Sequence, residues 1–146
     1  MNIAIVGATG LVGKKMLDIL EQRNFPLANL IPIASKKSEG NIIDFNGKKH
    51  RVISLENSLS SEIDIALFSA GAEISLKWAP RYKERGIYVI DNSSAWRMDE
   101  QVKLIIPEIN GSILESKDRI IANPNCSTIQ MLMALAPIHR NFKIKR

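Results

Sequence analysis

The feature that most narrows the fold is a glycine-spaced turn, Gly7-Ala8-Thr9-Gly10-Leu11-Val12-Gly13, set where one hydrophobic pattern stops and another begins. Before it, residues 3–6 are a continuous apolar run, the signature of a strand buried on both faces. After it the period becomes helical: Leu11, Met16, Leu17 and Leu20 supply an apolar face, with Lys14, Lys15, Asp18 and Glu21 between them. Strand, glycine turn and helix together form the unit in which α/β sheets hold a phosphate against the free amides of a helix N-terminus. Gly7 lets the chain turn sharply, Gly10 lets backbone approach phosphate oxygens, and Gly13 lets the helix pack close to the sheet. The first two glycines stand three positions apart, whereas the commonest dinucleotide fingerprint has them two apart. A purely structural turn therefore stays open as the alternative, while the flanking strand and helix favour a nucleotide.

The remaining pattern extends the same architecture. Residues 30–34 predict a second strand that tolerates Pro32 only near an end or an edge. Residues 42–45 and 51–53 flank Asn46-Gly47, a favoured pair for a tight hairpin turn. Residues 63–68 read as a core strand running into Ser69-Ala70-Gly71. A helix over about residues 72–85 follows, with Pro80 as a candidate kink and Gly86 closing it. Further short strands are expected at 87–90, 102–106 and 119–122, and a strongly apolar helix at 129–138. This alternation predicts an α/β fold, a doubly wound, Rossmann-like and mostly parallel sheet.

Composition removes several classes of function. At 146 residues, with 45% hydrophobic and 24% charged, the chain is neither disordered nor too small for a core. No apolar run approaches the roughly 20 residues of a membrane span, and the N-terminus lacks a secretion-signal pattern, so a cytoplasmic setting is expected. The net charge of +5 invites a nucleic-acid reading, but lysines and arginines are interleaved with acids throughout. The basic runs at residues 48–51 and 143–146 read as solvated surface, and no nucleic-acid or membrane partner is expected.

Two elements speak to chemistry. A site for NAD places an acid about 20 residues beyond the glycine turn to hold the ribose hydroxyls. Here that region is Ala34-Ser35-Lys36-Lys37-Ser38, whose hydroxyls and cations suit a ribose 2′-phosphate and hence NADP; a solvated lysine loop is the alternative. Cys126, the one cysteine, follows Asn123-Pro124-Asn125 and precedes the apolar helix. A helix N-terminus stabilises a thiolate, the nucleophilic form. A small, inert core residue is the competing account, and the sequence leaves both standing. His50 belongs to the basic hairpin, and His139 lies at the far end of the cysteine helix. At roughly 1.5 Å rise per residue His139 cannot reach the thiol, so both histidines read as surface and no metal site is expected.

Five segments taken together resemble the aspartate-semialdehyde dehydrogenase family, and the resemblance runs along essentially the whole chain. They are the glycine turn, Ala66-Leu67-Phe68-Ser69-Ala70-Gly71, Asp91-Asn92-Ser93-Ser94-Ala95-Trp96-Arg97, Ile106-Pro107-Glu108-Ile109-Asn110 and Asn123-Pro124-Asn125-Cys126-Ser127-Thr128. The resemblance implies NADPH-dependent reduction of L-4-aspartyl phosphate to L-aspartate 4-semialdehyde, with release of phosphate, serving lysine, methionine, threonine and diaminopimelate synthesis. By position, Cys126 matches the nucleophile that carries the aspartyl thioester, Arg97 the arginine that binds substrate phosphate, and Asn125 a substrate contact beside it. Gly7, Thr9, Gly10, Leu11, Val12 and Gly13 match the pyrophosphate loop, and Ser35, Lys37 and Ser38 the 2′-phosphate contacts. Lys37 stands where relatives often carry arginine, which keeps the charge and loses the planar fork. Ser69, Ala70, Gly71 and Asn92 match contacts further along the cofactor.

The resemblance also implies an NADP-binding domain over residues 1–125 and the start of a catalytic domain at 126–146. Family members are well over twice this length. Their orienting glutamine, acid–base histidine, carboxylate-binding arginine and homodimer interface belong to the remainder, so this chain by itself is expected to turn nothing over. Met131, Leu132, Met133 and Leu135 are then expected to be exposed. The nearest rival, N-acetyl-glutamyl-phosphate reductase, tends to carry glycine immediately before its cysteine; here the residue is Asn125. A non-catalytic module sensing NADP is the rival from another class.

Overall fold

Continuous apolar runs need cover on both faces, and the chain supplies it by winding helices to either side of one sheet. The structure, a computed structural model, describes residues 1–145; Arg146, last of the basic tail, lies outside them. Strands β1 (Asn2–Val6), β2 (Asn29–Ile33), β5 (Ile65–Phe68), β6 (Tyr88–Asp91), β7 (Lys103–Leu104) and β8 (Ile120–Ala122) make a six-stranded sheet. Its order is β2-β1-β5-β6-β8-β7 and every pairing is parallel. A separate hairpin joins β3 (Ile42–Phe45) to β4 (Lys48–Arg51). The long helices are α1 (Leu11–Gln22), α3 (Ala72–Glu84) and α5 (Cys126–Phe142); α2 (Leu55–Ser58) and α4 (Pro107–Asn110) are single turns.

The two faces of β1 show why the sheet is doubly wound. Ile5 packs with Ala8, Leu17, Leu30 and Phe45, beneath α1 and the hairpin. Its neighbours Ala4 and Val6 point the other way and join Ala66, Phe68, Trp78, Ala79 and Tyr82, beneath α3. Phe68 and Tyr82 meet edge to face, with centroids 5.2 Å apart. The Tyr82 hydroxyl is satisfied by Ser58 of α2, and burial pushes its pKa up.

Several expectations shift in register. Pro32 lies inside β2, an edge strand, and its carbonyl accepts from Ile53 N on the outer side. The missing proline N–H therefore falls on that same outer side, where it breaks no bond to β1. Asn46 (φ 48°) and Gly47 (φ 69°) make the expected tight turn, which pairs Phe45 with Lys48. The second hairpin strand thus begins at Lys48, earlier than the apolar residues suggested, and Ile53 instead bridges Ile33 beside β2. Leu11 is no part of the apolar face of α1: at the first helical position it points into solvent, 88% exposed. Helix α5 begins at Cys126 and continues through Pro137 to Phe142, and none of its residues is buried.

Candidate functional site

The glycine turn sits at the carboxyl end of β1, and the three glycines do different work. Gly7 has φ +93°, and a Cβ there would lie 2.5 Å from the Ser69 carbonyl oxygen. A Cβ on Gly13 would overlap the Gly7 carbonyl. Both glycines are requirements of the fold, because the atoms in the way are backbone. Gly10 differs: its φ is −77°, and an added Cβ would meet only the Gly7 oxygen, at 3.3 Å. The contact is tight rather than an overlap, so the fold presses less on this position than on the other two.

Beside the turn lies a groove of about 360 Å³ lined by Val6, Gly7, Thr9, Gly10, Ala34, Ser35, Leu55, Ser69, Ala70 and Ile74. It brings together residues from the ends of β1, β2 and β5. The chain leaves β1 through α1 to reach β2 on one side, and later returns to β5 on the other. Such a reversal of strand order opens a crevice at the carboxyl ends of the strands. Helices α1 and α3 both start at this groove, with Gly10 and Gly71 as N-caps and no side-chain capping bond. No acid stands in the first turn of α1, whereas Glu73 stands in that of α3. The helix starts therefore offer uncapped amides to an anion.

Leu11 and Val12 are exposed and do not line the groove, and neither do Lys37 and Ser38. The last two lie in a 3-10 turn, Lys36–Ser38, directly after Ser35. Lys37 is exposed, with no carboxylate partner among the described residues, while Lys36 lies 3.9 Å from Glu56. The nearest acid after β2, Glu39, is turned toward α2. Its Oε1 accepts from Ser54 Oγ at 3.0 Å and Asn57 Nδ2 at 2.6 Å. Leu55 and Ile74 are lining residues that sequence reasoning missed; both sit where a strand-following loop enters a helix.

A second cluster occupies the carboxyl ends of β6 and β8. Arg97 Nε donates to the Asn123 carbonyl at 3.0 Å, and its Nη2 donates to the Asn92 carbonyl at 3.1 Å. These nitrogens form the side edge of the guanidinium, so the outer Nη1/Nη2 edge remains for an oxyanion. Asn123 Nδ2 donates to Asn92 Oδ1 at 2.6 Å. Three residues on, Cys126 opens α5 and is exposed in this chain, where a small core residue would be buried. Asn125 caps the helix, its Oδ1 accepting from Ser127 N at 2.9 Å, and the Cys126 thiol lies 4.0 Å from the same oxygen. Asp91, wholly buried beside this cluster, receives Ser93 Oγ on Oδ2 at 2.6 Å, and its Oδ1 has no partner among the described residues.

Neither histidine approaches the thiol. His50 is half-buried rather than at the surface as expected, its Nδ1 3.1 Å from the Leu30 carbonyl and its ring edge-on to Phe45. His139 is exposed, far along α5 at roughly 20 Å by helical rise. It lines an apolar hollow with Ile109, Leu132, Leu135 and Ala136. Met131, Met133 and Leu135 are exposed as expected, and Leu132 is half-covered.

Residues 2–117 match the profile of the semialdehyde dehydrogenase NAD-binding domain. Aspartate-semialdehyde dehydrogenase of Aquifex aeolicus (strain VF5) is 54% identical over 149 residues, covering 99% of this chain and 44% of the relative. The enzyme of that name from Bacillus subtilis (strain 168) is 45% identical over 146 residues, covering 100% of this chain and 42% of its own length. The crystal structure of aspartate semialdehyde dehydrogenase II complexed with ASA from Vibrio cholerae superposes with a TM-score of 0.92 at 49% identity. It covers 99% of this chain, which spans 48% of that structure. The chain thus spans less than half the length of these relatives.

Proposed function

The chain belongs to the semialdehyde dehydrogenase family through its NAD-binding domain, and from that premise we propose that it is the NADP-binding half of an aspartate-semialdehyde dehydrogenase. What carries this reading is the order of groups along the carboxyl edge of the sheet. Ser35 and Lys37 follow β2, the glycine turn follows β1, Ser69 and Ala70 follow β5, Asn92 follows β6, and Cys126 follows β8. Strands pack roughly 4.8 Å apart, so this row spans about 19 Å, the reach of an extended dinucleotide ending at the thiol.

The groove fits such a ligand: its helix starts are uncapped, and Gly7 and Gly10 line it with backbone alone. The α1 amides and Thr9 would hold the pyrophosphate, Lys37 with Ser35 and Ser38 a ribose 2′-phosphate, and Ser69, Ala70, Gly71 and Asn92 the remainder. When bound, NADPH supplies hydride to an acyl carbon. Cys126 acts as the nucleophile: its thiolate attacks the acyl carbon of L-4-aspartyl phosphate and expels phosphate, leaving a thioester. The outer edge of Arg97 takes the substrate phosphate bidentately, and Asn125 positions the acyl group beside the thiol. Residues 1–125 form the nucleotide unit and 126–146 begin the catalytic one. Acid–base groups and a homodimer interface belong to further sequence in the whole enzyme, a cytoplasmic supplier of semialdehyde for lysine, methionine, threonine and diaminopimelate synthesis.

Titration of this chain with NADP and NAD, followed by calorimetry, is expected to show saturable binding that favours NADP, with no turnover of aspartyl phosphate. Absence of binding to either nucleotide overturns the reading. N-acetyl-glutamyl phosphate is the substrate to test against it in the whole enzyme, where Asn125 before the cysteine favours the aspartyl compound.

A further inference from the structure

Asn123 uses three polar groups to tie the loop after β6 to the loop after β8. Its backbone N–H donates to the Asp91 carbonyl at 2.8 Å, its carbonyl accepts from Arg97 Nε at 3.0 Å, and its Nδ2 donates to Asn92 Oδ1 at 2.6 Å. Arg97 closes the ring by donating to the Asn92 carbonyl. The Arg97 loop is braced from within: Ser93 Oγ donates to Asp91 Oδ2 and accepts from Ala95 N at 3.1 Å. One face of this ring is Asn92, at the cofactor end. The other is the three-residue approach to Cys126. Most side-chain hydrogen bonds run to backbone or water, so an amide–amide bond between two loops, reinforced by two backbone anchors, is a specific mechanical link.

We propose that Asn123 is a positioning residue that couples the seating of the nicotinamide nucleotide at Asn92 to the placement of the Cys126 thiol. This rests on the nucleotide reading above. The side chain of Asn123 is spent on Asn92, three residues ahead of the thiol. It acts by fixing the orientation of the Asn92 amide: while Nδ2 of Asn123 occupies Asn92 Oδ1, the Asn92 Nδ2 is left as the free donor. A ligand that draws on that donor pulls on Asn123, and through residues 124–125 on the N-cap that sets the first turn of α5. Arg97 contributes to the same link, since one edge of its guanidinium grips both loops while the other remains open. The substrate-phosphate group and the nucleophile are thereby registered to a common frame.

The test is the rate at which iodoacetamide alkylates Cys126, the sole thiol, with and without saturating NADP, in the wild-type chain and in Asn123 variants. Nucleotide affinity is measured separately by fluorescence titration. In the wild type, bound NADP is expected to change the rate at least about fivefold, the low end of ordinary coupling between sites. Asn123→Ala, and Asn123→Leu, which keeps the branched shape, are expected to hold Kd within about fivefold, the worth of one neutral hydrogen bond. The nucleotide effect on alkylation should fall to within about 1.5-fold in both, well below the same fivefold coupling. Asn123→Asp keeps the size but cannot donate to Asn92 Oδ1, and the flipped Asn92 amide it would hold turns its oxygen toward the ligand, so it should lose the coupling as Ala and Leu do; a merely structural role predicts wild-type coupling from this near-isostere. Cooperative melting confirms folding, and if Asn123→Ala fails it, Asn123→Leu carries the comparison. Coupling of wild-type size in the Ala and Leu variants overturns the proposal by assigning the effect to direct shielding by the nucleotide, and coupling of wild-type size in Asn123→Asp overturns it too. NADP binding that leaves the wild-type rate unchanged overturns the coupling and spares the nucleotide reading. Absence of NADP binding overturns both.

Discussion

Replacing Gly13 and Gly10 in turn by alanine separates what the turn does for the fold from what it does for a ligand. At Gly13 the new Cβ would overlap the Gly7 carbonyl and crowd the Ala8 Cα, both backbone, so relief requires α1 to move away from β1. Overpacking of a close contact costs about 1–3 kcal/mol, and a rigid obstacle places this case at the upper end. About 3 kcal/mol in a chain of this size lowers Tm by roughly 10 °C. At Gly10 the Cβ meets one atom at 3.3 Å and φ is ordinary. An N-cap change from glycine to alanine costs about 0.5–1 kcal/mol, offset by about 0.4–1 kcal/mol from a less flexible unfolded chain. The tight contact with the Gly7 oxygen adds a small cost, so Gly10→Ala should lose clearly less than Gly13→Ala, no more than about 1.5 kcal/mol. Binding should behave in the opposite sense: Gly10 lines the groove, and a methyl added there should weaken NADP at least about tenfold, or about 1.4 kcal/mol. Urea denaturation and calorimetric titration of both variants check the pair. A Gly10 variant destabilised as much as the Gly13 variant, or binding NADP as tightly as wild type, refutes the reasoning.

Lys37→Ala should cost NADP about 1.5–3 kcal/mol, the range for a charge-assisted bond, and leave NAD within about twofold, read by parallel titrations. Because Cys126 is exposed and alone, one thiol per native chain should react with a disulfide reagent without denaturant, and Cys126→Ser should react with none. The Ser54 hydroxyl bond, then the Asn57 and backbone Ser54 bonds and the Lys36 charge, hold Glu39 below its ordinary value of 4.5, against the opposing effect of desolvation. The ionised form is favoured by folding, so its contribution is complete above that ordinary value and is lost as pH falls through the lowered one. Glu39→Gln should flatten the acid limb of the stability curve, measured by melting between neutral and acid pH.

The sheet was legible because parallel strands buried on both faces read as unbroken apolar runs, as in residues 3–6 and 65–68. Asn46-Gly47 was legible because few sequences adopt two consecutive positive φ angles. The same turn corrects the hairpin: its geometry fixes Phe45 opposite Lys48, while Val52 bonds to Gly40 and Asn41 and Ile53 bridges the β2 edge. The apolar signal of α5 begins only at Ile129, since Ser127 and Thr128 carry none, and the cap on Asn125 is a matter of geometry. Single-turn helices α2 and α4 are too short to show a period. Along the carboxyl edge, the motif residues were visible as types and spacings. The Arg97 grip on two carbonyls and the Asn92–Asn123 bond were not, because they join segments about thirty residues apart.

Helix α5 has no buried residue, and its hydrogen-bond ladder is interrupted at Pro137. Isolated helices shorter than about 12–15 residues are marginal in water, and the stretch ahead of that proline is no longer than that. Its amides should accordingly exchange with deuterium long before those of β1 and β5, which lie in the core. The electrostatic assistance offered to a sulfur at the helix start then fluctuates with fraying. In this chain the sheet stays stiff while the helix that Cys126 opens is free to fray.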